Sequence, residues 1–115
     1  MKIKKIISYG IAMVFTASGI LIATPAGKVT ITEPKDMAQV DKKSKVMIMY
    51  EADAGKEGDH IHVMVDDKRE SLVRQMKGHL EVGPLSAGKH KICLVINTKG
   101  HMPIGAEGCV NVTAK

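Results

Sequence analysis

Five side chains that could hold a metal ion lie in two separate segments of this sequence. His60, His62 and Met64 alternate in the run from Gly58 to Asp67, whereas His101 and Met102 are neighbours in a later glycine-containing stretch. Alternation predicts a strand with both histidines on one face, their imidazoles about 6–7 Å apart, and with apolar side chains on the other face. Two imidazoles can share one ion that a loop ligand completes.

The ligand types indicate which ion such a site would prefer. Imidazole suits copper, zinc and nickel, and a thioether adds a preference for Cu(I). We therefore predict copper, with zinc second, and the following ligands: His60, His62, His101, Met102 and Met64. H-x-H is a short motif, however, and two surface histidines on a half-exposed strand explain it equally well. The alternative is a structural or interaction module without metal, whose histidines hold loops and whose edge strand binds another periplasmic protein.

The two cysteines, Cys93 and Cys109, are predicted to form a disulfide between adjacent strands. Closing a loop of this length stabilises the fold by about 3 kcal/mol in the chain-entropy model. The alternative is a thiol pair that binds Cu(I) beside Met64. The spacing is not C-x-x-C, so a dithiol oxidoreductase is not indicated.

Two further histidines belong to other parts of the pattern. His90 follows a glycine-containing turn, and we expect its ring to hydrogen-bond the turn backbone at the end opposite His60. His79 begins an expected strand and is a further candidate for the His60 end. Asp66 and Asp67 are expected to end the histidine strand and to shape the turn that follows.

The elements that must position these residues are short strands at turn spacings of about 8–12 residues, which predicts an all-β, immunoglobulin-like antiparallel β-sandwich of six or seven strands. Segment 71–76 is either a short strand or a helical turn, 35–44 is a polar connection, and 98–108 is a loop. In this topology 90–97 lies between 59–66 and 109–113, which brings His101 to the His60 end. The expected strands are 28–32, 45–51, 59–66, 79–82, 90–97 and 109–113.

Residues 1–26 have the order of a secretory signal. Three lysines, an apolar run from Ile6 to Ile22 and the small residues around Pro25 predict a signal helix cut after Ala26. An uncleaved anchor is the alternative, because the run approaches the roughly 17 residues needed to span a membrane. The expected domain is 27–115, periplasmic or secreted, with membrane contact only if the signal is uncleaved.

Composition excludes some function classes. Three of the 17 basic residues lie in 1–26, which has no acidic residue, so 27–115 carries 14 basic and 12 acidic side chains. Tyr50 is its only aromatic residue, which argues against nucleic-acid binding by base stacking. The sequence has no nucleophile elbow, phosphate-binding loop, zinc-protease or haem motif, and we predict no enzyme.

Residues 58–113 resemble small exported bacterial Ig-like domains of unknown function. The resemblance rests on His60-x-His62 with the later Val65-Asp66, on Leu85-Ser-Ala-Gly88-Lys-His90, and on His101-Met-Pro103. It implies the sandwich fold and a periplasmic address, and no activity. The chain is more loosely similar to periplasmic copper-resistance β-sandwiches in size, export and His/Met content, but it lacks their N-terminal histidine.

Overall fold

The computed structural model describes residues 27–115, so the predicted signal helix of residues 1–26 lies outside the described residues. No helix in this described range is long and apolar enough to cross a bilayer. Eight strands run through it, in two sheets: β1 (Lys28–Glu33), β2 (Ala38–Val40), β3 (Val46–Asp53), β4 (His60–Val65), β5 (Lys68–Val73), β6 (Lys77–Val82), β7 (Gly88–Asn97) and β8 (Pro103–Ala114).

The two sheets form the predicted all-β, immunoglobulin-like sandwich. One sheet has the order β1-β3-β6 and the other has the order β2-β8-β7-β4-β5. All pairs are antiparallel except β2 with β8. Inward residues of each strand alternate with outward ones and meet in one apolar core; the fully buried examples include Ile48, Ile61, Val63, Ile92, Leu94 and Ile96.

The central strands were predicted correctly. β7 lies between β4 and β8, and Cys93 is directly opposite Cys109. The two cysteines form a disulfide, as predicted. Asp66 and Asp67 both have positive φ, of 51° and 69°, and form the two-residue turn between β4 and β5. This is the conformation that a two-residue hairpin turn requires.

Three segments differ from the predictions. The connection 35–44 contains strand β2, which pairs in parallel with β8 through Ala38 and Val40. The uncertain segment 71–76 lies partly in β5, which begins at Lys68, directly after the turn. The loop expected at 98–108 is shorter, because β8 begins at Pro103.

One of the glycines in β8 packs closely against the other sheet. A Cβ atom at Gly108 would lie 2.8 Å from the carbonyl oxygen of Val29. The glycine therefore permits close packing of β8 on β1, where the sequence suggested a loop.

Candidate metal centre

Three imidazoles converge where β4 begins and the β7–β8 loop turns. The Nε2 atoms of His60 and His62 are 3.0 Å apart, and each is 3.2 Å from Nδ1 of His101. The His60 and His62 ring centroids are 4.8 Å apart, closer than the predicted 6–7 Å, because the two rings lean toward the same point. The predicted convergence of two distant segments is therefore present in the fold.

A tight backbone approach fixes the start of β4. The amide of Gly58 donates to the carbonyl of Ala54 at 2.9 Å, and the amide of Asp59 donates to the carbonyl of Asn97 at 2.8 Å. A Cβ atom at Gly58 would lie 2.2 Å from the Ala54 oxygen and 2.7 Å from Cγ2 of Ile96. Only glycine fits here, and it delivers the chain to His60 beside β7.

The third imidazole is held by a short turn. The amide of His101 donates to the carbonyl of Thr98 at 2.9 Å, and the Thr98 amide donates to the Met102 carbonyl at 2.8 Å. His101 has φ of 66°, in the left-handed region that side-chain-bearing residues seldom adopt. This conformation stores backbone strain, which native proteins concentrate at functional sites.

His60 is buried, although the sequence predicted that it faces outward. Its exposed fraction is 1%, because the other two imidazoles and the Asp59–Arg74 pair cover it. Its strand face was predicted correctly, since its ring meets that of His62. The alternation pattern reports which face of the sheet a side chain leaves from and contains no information about what covers that face.

A carboxylate orients the buried ring. Nδ1–H of His60 donates to Oδ2 of Asp59 at 2.9 Å, and Nη1 of Arg74 donates to the same oxygen at 2.8 Å. The hydrogen bond from His60 is the main reason that the pKa of Asp59 is lowered, with Arg74 adding to it. An ionised carboxylate accepts only, so neutral His60 carries its proton on Nδ1 and turns the Nε2 lone pair toward His62 and His101.

The surroundings also keep His62 neutral. Burial is the largest cause that lowers its pKa, followed by the charges of His60, Arg69 and His101. A neutral imidazole is the form that binds a metal ion. Burial therefore favours the form of His62 that can bind a metal ion.

The remaining residues of the predicted site are two methionines and two cysteines. Met102 follows His101 and is 65% exposed, and Met64 leaves the same face of β4 as His62. Cys93 and Cys109 are bonded to each other, which removes the alternative of a free thiol pair in this form. Cys93, expected to face outward, is only 6% exposed, because neighbouring strands of its sheet flank it.

The other two histidines lie elsewhere. His79 is exposed in the three-stranded sheet, directly opposite Met49, and does not belong to the cluster of His60, His62 and His101. His90 lies at the far end of β4, where Nε2–H donates to the Ser86 carbonyl at 2.7 Å, which confirms the predicted contact with the turn backbone.

Sequence reasoning missed Asp59 and Arg74 as part of the site. The signal for Asp59 was its position directly before the H-x-H motif, where a carboxylate can reach the first ring. Arg74 had no such signal, because its approach depends on the pairing of β5 with β4.

Comparisons with known proteins bear on the fold. No family model matches the chain, and no curated protein matches its sequence. The fibronectin(III)-like modules of Clostridium thermocellum CbhA match its structure with a TM-score of 0.64 and 17% identity, over 76% of this chain and 96% of that one. An engineered protein matches with a TM-score of 0.52 and 16% identity, over 80% of this chain and 21% of that one. At these identities the matches establish a fibronectin III-like sandwich and carry no functional assignment.

Proposed function

We propose that this protein is an exported, non-catalytic binding protein that coordinates a transition metal ion, with copper favoured over zinc, through His60, His62 and His101. The observation that supports it is the triangle of three ring nitrogens with sides of 3.0–3.2 Å. A metal ion about 2.0–2.1 Å from each nitrogen would lie about 1 Å above the plane of this triangle, with angles of about 100° between ligands. This is close to tetrahedral geometry with one position open.

The protein also supplies the surroundings that metal sites require. Metal-bound imidazoles usually donate their second N–H to a carboxylate or carbonyl group, which fixes the tautomer. The Arg74–Asp59–His60 chain has this arrangement. In the alternative, in which histidines only hold loops, the same contacts of 3.0–3.2 Å would be N–H···N hydrogen bonds among the three rings.

A thioether in the fourth position is the reason for favouring copper. Met102 is adjacent to His101 in sequence, and Met64 is two residues beyond His62 on the same strand face. Thioether sulfur prefers Cu(I) over zinc. We propose that one of these two methionines completes the ligand set.

An exported location is consistent with the covalent structure. Disulfides persist in oxidising compartments, and this domain contains one. Together with the signal sequence predicted in residues 1–26, this supports a periplasmic or secreted protein. The disulfide also occupies both cysteines, so no thiolate lies beside His62 as a nucleophile, which supports a non-catalytic role.

The proposal of an edge-strand partner receives less support. Strand β5 is an exposed edge of the larger sheet, but its first residues are Lys68, Arg69 and Glu70. Charged side chains on an edge discourage pairing with another chain. We therefore place the interaction module second.

Calorimetric titration of the purified protein with Zn(II), with Cu(II) and, under anaerobic conditions, with Cu(I) tests the proposal. We expect one ion per chain and an affinity at least 100-fold lower in His62→Ala. His62 is chosen because it is only partly buried, so that its loss spares the core better than loss of His60. Met37→Leu, which changes a side chain that is 71% exposed and outside the cluster, is the control and should bind Zn(II) as the wild type does.

Two outcomes would contradict the proposal. Absence of binding at micromolar metal would leave the interaction module as the function. Equal affinity in the wild type and His62→Ala would place any bound ion outside this cluster. A third outcome concerns only the choice of metal. If the ion binds but neither Met102→Leu nor Met64→Leu lowers the affinity for Cu(I) relative to that for Zn(II), neither methionine is a ligand and the reason for favouring copper no longer holds.

A further inference from the structure

Methionine is distributed unusually in the described part of the chain. Residues 27–115 contain six methionines and none is buried, whereas isoleucine, leucine and valine provide most of the core. Four of the five large hydrophobic residues exposed there are methionines: Met37, Met47, Met49 and Met102. Methionine normally fills gaps in cores. Here the exposed apolar side chains are instead mainly thioethers.

Two of these thioethers lie together on the outer face of the smaller sheet. In β3 the residues alternate, so that Ile48 and Tyr50 are buried while Met47 and Met49 are 50% and 44% exposed. An outward position on such a strand is normally polar. Met76, by contrast, packs against the core, as methionine in a thin core is expected to do.

An imidazole lies directly across from this pair. Met49 is paired with His79 of β6, and Met47 is paired with Glu81, so His79 is opposite one thioether and diagonal to the other. Directly opposite Cβ atoms are about 5 Å apart and diagonal neighbours about 7–8 Å, within reach of long side chains. Two flexible thioethers can therefore meet the His79 ring above one point of the sheet.

The neighbourhood adds a partly sheltered edge and negative charge. Met47 and Met49 also line a groove of about 430 Å³ with Pro34 and Val40 among its other walls, whereas His79 lies on the β6 side of these methionines and does not line the groove. Glu33 is paired with Met49 on the β1 side and leaves the same face. Glu33 is ion-paired with Lys35 at 3.5 Å, so the carboxylate that favours a cation is that of Glu81, opposite Met47. Apolar walls favour a large, weakly hydrated ion.

We propose that Met47, Met49 and His79 form a second metal site, selective for a soft monovalent cation such as Cu(I). Soft thioether ligands select Cu(I), whereas the three imidazoles at the other site also suit Cu(II) and Zn(II). The two sites lie on different sheets and share no residue. This proposal does not depend on the metal centre of His60, His62 and His101.

Silver(I), a redox-stable analogue of Cu(I), tests this site in chloride-free buffer. The host is His62→Ala, which weakens the competing imidazole cluster by removing one of its three rings. With methyl-labelled methionine, Ag(I) should shift the ε-methyl signals of Met47 and Met49, and the ring signals of His79, at one ion per chain. Replacing both methionines, Met47→Leu with Met49→Leu, should lower the Ag(I) affinity at least 100-fold.

The control is Met37→Leu, which changes a methionine that is 71% exposed and outside the cluster. It should bind Ag(I) like the host. Shifts confined to Met64 and Met102, or unchanged affinity after the double replacement, would overturn the proposal, as would no binding at micromolar Ag(I). When Met47→Leu and Met49→Leu are introduced together into the wild-type protein, the Zn(II) affinity should equal that of the wild type. The two sites can therefore fail independently of each other.

Discussion

Strand β4 has an aspartate–histidine pair at each end, and the two pairs differ in what the second ring nitrogen meets. At one end Asp59 accepts from Nδ1 of His60, and Nε2 of His60 faces two other imidazole nitrogens. At the other end Asp66 accepts from Nδ1 of His90 at 2.6 Å, and Nε2 of His90 meets the Ser86 carbonyl. The partner of the second nitrogen thus separates a candidate ligand from a structural residue.

The charge states follow from these partners. A carboxylate and a carbonyl can only accept, so the contacts of His90 favour the form in which both ring nitrogens carry hydrogen, which is the cation. The hydrogen bond to Asp66 is the main cause that raises the pKa of His90. At the other end burial lowers the pKa of His62, which favours the neutral ring. The ring held by Asp66 therefore favours the cation, whereas the neutral form at the metal end is favoured at His62, which is not the ring that Asp59 holds.

The largest expected effect comes from His101→Gly. This variant should lose metal affinity by at least 100-fold, because a third of the imidazole triangle is removed. Without metal it should be more stable than the wild type by about 0.5–1 kcal/mol, since glycine adopts the φ of 66° without strain. Metal titration and denaturant unfolding measure the two effects. A clear loss of metal-free stability would mean that His101 holds the loop, as the alternative states.

The second largest effect is expected from replacing Asp59, the carboxylate at the metal end of β4. Asp59→Asn should lower metal affinity by about 10–100-fold, because the orienting acceptor of His60 is weakened. Asp66→Asn is the matched control at the other end of β4 and should leave affinity within a few-fold of wild type. Equal losses in the two variants would show that the two aspartates do not play different roles.

The third largest effect is a pH-dependent loss of folding stability at the His90 end of β4. The raised pKa of His90 means that its contribution to stability is fully present below its unfolded pKa, near 6.5, and is lost as pH rises through the higher folded value. His90→Gln should therefore be less stable than wild type by about 1–2 kcal/mol at pH 5.5, the scale of a charged hydrogen bond. Denaturant unfolding should show this gap narrowing by pH 9, and a gap that widens would contradict the assignment.

Much of this contrast could be predicted from sequence, because it depends on alternation and register. Alternating apolar residues fix the inner face of β4, and the Cys93–Cys109 pairing fixes the β7–β8 register that brings His101 to His60. The role of His90 followed from the turn before it. These features are local, or depend on a single pairing between neighbouring strands.

The features that escaped prediction depend on packing between distant segments. Strand β2 has three residues, too few for an alternation pattern, and forms because the edge of β8 is available to it. Arg74 reaches Asp59, the acceptor of His60, only after β5 has paired with β4. The glycines around β8 suggested a loop, whereas Gly108 serves close contact between sheets.

The smallest effects come from two arginines near the metal end, and they should have opposite signs. Arg74→Gln removes a donor to Asp59, but Arg74 is 68% exposed, so affinity should fall by about threefold or less, the scale of a surface ion pair. Arg69 lowers the pKa of His62 through its charge and would repel a bound cation in the same way. Arg69→Gln should therefore raise affinity slightly. Zn(II) titrations at low and high salt measure the change in affinity for each variant. Both changes should be smaller at high salt, because salt screens the charges. If both variants raise the affinity, Arg74 acts by its charge alone and not by orienting Asp59.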